Sequence, residues 1–227
     1  MKIAVILAGS GVYDGSEIHE SVLSLLAIAE LGHEANCFAP NKNQLHVINH
    51  LDGSVMDENR NVLIESARIA RGDISDLKDL DSSNFDALLI PGGFGAAKNL
   101  NQWAVNGPDC TIDTAVKNTI LQFIAEKKPI AALCMGPTVI AKALEGSPYS
   151  ANLTVGSSKA SSPYDIQGIA AGMEQIGAVH LEKTIQEVAI DVELKIVSAP
   201  CYMMDASIVE LHENIKMAVE ELTKLNK

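Results

Sequence analysis

Basic residues are scarce in this 227-residue chain: 17 lysines and arginines stand against 29 aspartates and glutamates, a formal net charge of -12. Phosphate backbones and anionic bilayers are held by clustered Lys and Arg, so the shortage argues against nucleic-acid and membrane partners and leaves small molecules or proteins. Cysteine is sparse too. The four, Cys37, Cys110, Cys134 and Cys201, form no C-x-x-C pair, which speaks against a zinc ribbon or a disulfide framework and for a reducing compartment. No hydrophobic run approaches a membrane span, and the apolar stretch 3–8 lacks the length, basic start and cleavage site of a signal peptide, so a cytoplasmic location is expected. Repeats and low-complexity tracts are also missing. The expectation is one domain over residues 1–227, elaborated at about 39–76.

Two familiar motifs fail by one residue each. Gly9-Ser10-Gly11 has no third glycine at the spacing of a dinucleotide fingerprint, so no nicotinamide cofactor is indicated. His19-Glu20 begins like the zinc helix H-E-x-x-H, but position 23 is Leu. His46 and His50 are four apart with no carboxylate or cysteine pattern to complete a site, and are expected as solvated loop residues. Neither a metal nor a cofactor is expected.

What the chain does have is a cysteine at the end of a buried apolar run. Residues 130–133 (Ile-Ala-Ala-Leu) read as a strand buried on both faces, followed by Cys134-Met135-Gly136-Pro137 and an apolar helix over 138–144. Proline is tolerated in a first helical turn because its missing N–H has no intrahelical partner there. Cys134 therefore stands on a sharp strand-to-helix turn, like the nucleophile of the serine motif G-x-S-x-G, with only the downstream glycine kept. The N–H groups opening the helix favour an anion, so a more accessible thiolate is expected. A free cysteine is also a good small core residue, and this stretch alone leaves both readings open.

The other elements spell an open α/β sheet. Strand 3–8, a glycine-punctuated loop, a helix from near Glu17 to position 31 and strand 34–38 make a β-loop-α-β unit, whose ligands sit beyond the strand carboxyl ends. The helix is expected to bury Val22, Leu25, Leu26 and Ala29 and to stop at Gly32. Its first turn puts Glu17, His19 and Glu20 at the mouth, where acidic residues also serve as simple dipole complements. Strand 86–90 ends in Pro91-Gly92-Gly93, whose small residues let backbone N–H groups approach a ligand; with the Met135 N–H they would form an oxyanion hole. Further along, the pattern predicts a strand at 47–51 turning at Asp52-Gly53, a helix over 61–70, a loop at 105–110 and a helix over 112–126. A strand at 153–156, a Ser-rich loop 157–164 overhanging the site and a helix over 166–176 follow. A hairpin of 188–192 with 195–198 and an amphipathic helix over 205–225 capped by Asp205 close the chain.

These residues resemble a known family. Ile90-Pro91-Gly92-Gly93, Cys134-Met135-Gly136-Pro137 and the early carboxylate are similar to the ThiJ/PfpI branch of the class I glutamine amidotransferase-like superfamily. The blocks at 11–20, 38–40, 47–51, 60–65 and 91–100 resemble, within that branch, the glyoxalase-like enhancing lycopene biosynthesis group. The resemblance implies a flavodoxin-like three-layer sandwich with a mostly parallel central sheet, Cys134 as nucleophile on its elbow, and homodimers or higher homo-oligomers. It also implies a partner carboxylate, Glu20 by counting back from Gly32, or Glu17 if the loop shifts the register. Such a carboxyl should have a raised pKa and hydrogen-bond to sulfur. The downstream histidine of the amidotransferases has no counterpart in residues 153–158; His180 and His212 are the late candidates.

The expected activity is a glyoxalase that needs neither metal nor glutathione and acts on a small aldehyde. Cys134 would add to the aldehyde, Gly92, Gly93 and Met135 would hold the oxygen, and Glu20 or Glu17, with His19 assisting, would move the proton. A redox-sensing or binding protein using the same cysteine is the second reading, and an amidase the third.

Overall fold

The computed structural model describes residues 1–226. In chain order the strands are β1 (Lys2–Ile6), β2 (Glu34–Ala39), β3 (Ile74–Asp76), β4 (Ala87–Ile90), β5 (Ile130–Leu133), β6 (Asn152–Leu153), β7 (Val179–His180), β8 (Ala189–Asp191) and β9 (Ile196–Ala199). The helices are α1 (Ile18–Glu30), α2 (Val62–Ile69), α3 (Trp103–Asn106), α4 (Thr114–Ala125), α5 (Gly136–Leu144), α6 (Ile166–Gln175) and α7 (Ile208–Lys224). Among the described residues, one sheet of seven strands runs in the order β3-β2-β1-β4-β5-β9-β8, parallel except for β8, and β6 pairs with β7 in a small parallel sheet. This is the expected α/β, flavodoxin-like sandwich with a mostly parallel central sheet.

The middle strands explain the apolar runs. Every residue of β4, β5 and β9 is buried, as parallel strands covered on both faces require. Helix α1 packs on α7 and α4 packs on α5, as two separate pairs, giving helix–sheet–helix layers. Because β1, β4, β5 and β9 are neighbours in register, their carboxyl ends bring together four loops: 7–17, 91–95, 134–136 and 200–204. That edge is where the chemistry-bearing residues meet.

Several expectations are corrected. Helix α1 turns Val22 and Leu26 outward, 47% and 43% exposed, and buries Glu20, Ser21, Ser24, Ala27 and Ile28. Hydropathy misreads this face because Ser21 and Ser24 donate their hydroxyls to the Glu17 and Glu20 carbonyls (2.7 and 2.6 Å), so small polar side chains can be buried without loss. Residues 47–51 form a loop with a single bridge, Ile48 to Val55, instead of a strand, while β3 adds an edge strand that the pattern did not suggest. Helix α3 and a 3-10 turn occupy most of the expected loop 105–110. Helix α7 is capped by Ser207 in a reciprocal capping box with Glu210, and Asp205 instead accepts from Ser161. His50 is not merely solvated: it accepts from the Tyr13 N–H (3.3 Å), packs on the Tyr13 ring and ties the elaboration to the loop before α1.

Candidate active site

Cys134 follows β5 directly and sits at φ +54°, in the left-handed region that costs a non-glycine residue about 1–2 kcal/mol. Neighbouring structure holds it there. Its N–H donates to Ala199 O on β9 (2.9 Å), and the Thr138 hydroxyl donates to Met135 O (2.7 Å), fixing the turn into the buried α5. Pro137 lies in the first turn of that helix, as the sequence suggests.

Two glycines after β4 close the other side. A Cβ on Gly92 would lie 2.2 Å from Cys134 Cβ and 2.6 Å from Glu20 Oε2, so no larger residue fits between nucleophile and acid. Gly93, at φ +95°, turns its N–H onto the Cys134 sulfur, joined there by the Met135 N–H. The Gly92 N–H is not part of this cradle. It donates to Glu20 Oε2 (3.1 Å), which corrects the expectation that Gly92 binds an oxyanion: its N–H is already committed, and its role is close approach.

Glu20, fully buried, is the carboxyl that faces Cys134 within hydrogen-bonding reach. Its two oxygens accept from Gly92 and, on Oε1, from the Tyr202 N–H (3.2 Å). Glu17 does a different job: it is the N-cap of α1, accepting the Glu20 N–H at 2.7 Å, and its own N–H donates to Gly92 O (2.9 Å). The register counted from Gly32 thus agrees with the geometry. His19 stands at the rim, exposed, with Nδ1 3.1 Å from the Tyr202 hydroxyl.

Burial decides the electrostatics. Loss of solvent, then the charge of Glu17, pushes Glu20 up to about 8, with the hydrogen bonds from Tyr202, Cys134 and Gly92 opposing. Burial and then Glu20 push the Cys134 thiol well up, and the Gly93 and Met135 N–H groups only partly oppose this. The expectation that the helix start makes the thiolate more accessible is therefore corrected, because desolvation beside an acid outweighs a few N–H dipoles. Cys134 and Glu20 form a coupled pair that holds both protons at neutral pH and gives up the first only when the pH climbs.

A cavity of about 360 Å³ opens at the rim of this edge, walled in part by Tyr13, Glu17, His19, Tyr164 and Tyr202; neither Cys134 nor Glu20 lines it. Tyr164 comes from the loop expected to overhang the site and packs edge-on against Phe94, their ring centroids 5.5 Å apart. Burial and then the nearby Cys134 push its phenol up to about 12. Tyr202 and Cys201 join this edge from residues 199–204, a stretch to which the sequence pattern assigns no element or motif. Following β9 to its carboxyl end, beside the elbow strand, was the signal that could have found them. A larger cavity of about 680 Å³, between the segment after β3 and α4, holds none of the expected site residues. The late histidines lie elsewhere: His180 Nε2 accepts from the Val155 N–H (3.5 Å), and His212 faces Glu30 (3.6 Å). Among the described residues no group of three or more His, Cys, Asp or Glu is placed to hold a metal, and no helix is long and apolar enough to cross a membrane.

Known proteins match this chain along its length. The model of the DJ-1/PfpI family matches residues 2–156. The mitochondrial ES1 protein homolog of Rattus norvegicus is 39% identical over 226 residues, 99% of this chain and 84% of that protein. The mitochondrial glutamine amidotransferase-like class 1 domain-containing protein 3 of Homo sapiens is also 39% identical over 226 residues, 99% of this chain and 83% of that protein. Among crystal structures, an isoprenoid biosynthesis protein with amidotransferase-like domain from Ehrlichia chaffeensis superposes with a TM-score of 0.88 at 33% identity, covering 99% of each chain. The two relatives' names overturn the expectation of a cytoplasmic location. The expectation rests on the absence of a membrane span and of a secretory signal pattern, and neither absence is an address.

Proposed function

The chain belongs to the DJ-1/PfpI family, and on that premise we propose that it is a glyoxalase acting on small dicarbonyls such as glyoxal without metal or glutathione. The observation that carries this reading is the Cys134–Glu20 pair, buried together and faced by the Gly93 and Met135 N–H groups. In the singly protonated pair, Cys134 Sγ adds to one aldehyde carbon and its C=O oxygen takes the negative charge beside those N–H groups, then a proton, giving a hemithioacetal. Glu20 removes the proton from that carbon and returns it to the neighbouring carbon, while the hemithioacetal hydroxyl passes its proton to the neighbouring oxygen, so that the first carbon becomes the thioester carbonyl and the second carries the hydroxyl. The product is a thioester of the hydroxy acid, with no net change in oxidation state. Water adds to the thioester, and the Cys134 sulfur leaves with a proton. Glu17 acts through Glu20 by capping α1 and holding its N–H, and His19 through the Tyr202 hydroxyl at the rim.

A glutaminase reading lacks support at the site, since His180 and His212 are engaged away from Cys134. The reading of a homodimer or higher homo-oligomer is supported by Ile18, Val22 and Leu26, spaced four residues apart along one side of α1 and 46%, 47% and 43% exposed. The test of the activity is steady-state turnover of glyoxal and methylglyoxal without glutathione. Turnover is expected in the wild type, lost in Cys134→Ser and Glu20→Gln, and reduced but measurable in Glu17→Gln. A wild type with no turnover, or a Cys134→Ser variant that keeps it, overturns the reading.

A further inference from the structure

Cys201 has no part in that chemistry, yet it stands beside the nucleophile. β5 and β9 are parallel neighbours with Leu133 paired to Ala199, so Cys134 is one residue and Cys201 two residues past that rung. The Cys134 N–H that donates to Ala199 O also faces the Cys201 sulfur. Both cysteines adopt left-handed backbone, at φ +54° and +49°, and the Cys201 N–H is pinned by Asn214 Oδ1 (3.1 Å). Cys201 is completely buried, so no reagent from solvent reaches it; the neighbouring sulfur is that of Cys134, itself 5% exposed. Cys37 lies on β2 and Cys110 beyond α3, in other parts of the molecule.

We propose that Cys201 is a resolving cysteine: when a peroxide oxidises Cys134, Cys201 captures the product as a Cys134–Cys201 disulfide and keeps the nucleophile from irreversible oxidation. In the first step Cys134 Sγ attacks a peroxide oxygen; the O–O bond breaks, a sulfenic acid forms, and the departing hydroxide takes a proton to leave as water. In the second, Cys201 Sγ attacks Cys134 Sγ; the S–S bond forms, the S–O bond breaks, and the Cys201 proton departs with the oxygen as a second water. Two thiols supply two electrons and the peroxide accepts them. A thiol reductant reverses the bridge, whereas a sulfinic acid, the product without a resolving partner, is not reduced by simple thiols. Disulfides span Cα separations of about 4.4–6.8 Å, and neighbouring strands lie about 4.8 Å apart.

The experiment exposes the folded full-length chain, above pH 8 where the pair has given up a proton, to at least two equivalents of hydrogen peroxide, blocks free thiols with iodoacetamide in denaturant, and measures intact and peptide masses without reductant. Wild type should lose about 2 Da before blocking and yield a Cys134–Cys201 cross-linked peptide that dithiothreitol removes. Cys201→Ala should instead gain about 32 Da at Cys134, and dithiothreitol should not reverse it. A wild type that gains the sulfinic mass at the same rate as Cys201→Ala, or that cross-links Cys37 or Cys110 instead, overturns the proposal. The wild-type peptide map decides even if the variant fails to fold. Neither mass depends on turnover, so a negative result here leaves the glyoxalase reading standing, and the reverse holds.

Discussion

Replacing Glu20 by Gln should flatten the pH dependence of folding stability. An unfolded chain releases this proton near 4.5, whereas the native protein holds it until about 8. Between those values the native state binds one more proton than the unfolded state, so stability falls as pH rises through the window. At about 1.4 kcal/mol per unit, the shift amounts to about 5 kcal/mol of stability present at pH 4.5 and lost by pH 8. That is a large share of the 5–15 kcal/mol typical of a whole domain. Gln carries no ionisable proton and removes the slope. It is not a perfect replacement, because Gly92 and Tyr202 each aim an N–H at a different carboxyl oxygen and one of them would meet the amide NH2, a pH-independent loss of about 1–3 kcal/mol. The slope is therefore the quantity to read, from urea unfolding of wild type and Glu20→Gln at several pH values between 5 and 8. Parallel curves would refute the reasoning, because they would mean that Glu20 ionises alike in both states.

The same pair sets the expected pH dependence of turnover: with both protons held at neutral pH and one to be lost before sulfur can attack, kcat/KM for methylglyoxal should rise about tenfold per unit below pH 8 and level off above it. A flat profile from pH 6 to 8 contradicts this. Gly92→Ala should destabilise the protein by about 1–3 kcal/mol or more and suppress alkylation of Cys134, because the added Cβ would lie 2.2 Å from Cys134 Cβ; urea unfolding within a few tenths of wild type would show that the site yields. Val22→Glu should convert a homodimer to a folded monomer in sedimentation velocity, and a monomeric wild type would remove the basis for the proposed interface.

The sheet was legible because its strands are covered on both faces. Continuous apolar runs such as 130–133 have few other homes, and the Gly, Pro and Cys residues that follow them mark the carboxyl ends. Helix α1 was legible in extent but not in orientation. Its buried serines satisfy their hydroxyls on their own helix, so the face toward α7 is polar in composition and dry in fact, and an amphipathic reading picks the opposite side. The elaboration resisted for another reason. Its geometry is held by side chains distant in sequence, among them Asp14, which accepts the Ile48 N–H at 2.7 Å, and no local period records such a tie.

At the site, residue types were readable but their division of labour was not. Spacing places Glu17 and Glu20 in one helical turn, and either could face a thiol; the geometry separates them, because an N-cap uses its carboxylate on the backbone while the residue three later is free to point inward. The same holds for Gly92 and Gly93, adjacent glycines of which one spends its N–H on Glu20 and the other aims it at sulfur. Charge was the least legible feature. The start of a helix suggested an easier thiolate, but Cys134 and Glu20 are sealed together: burial raises both, and Glu20 further opposes ionisation of the thiol, while the Cys134 hydrogen bond only partly offsets the rise of Glu20. Such a pair is inert until one proton leaves, which ties its reactivity to whatever removes that proton or displaces it on binding. A buried acid beside a buried thiol thus gives up native stability, about 5 kcal/mol between pH 4.5 and 8, for a nucleophile that stays quiet at neutral pH.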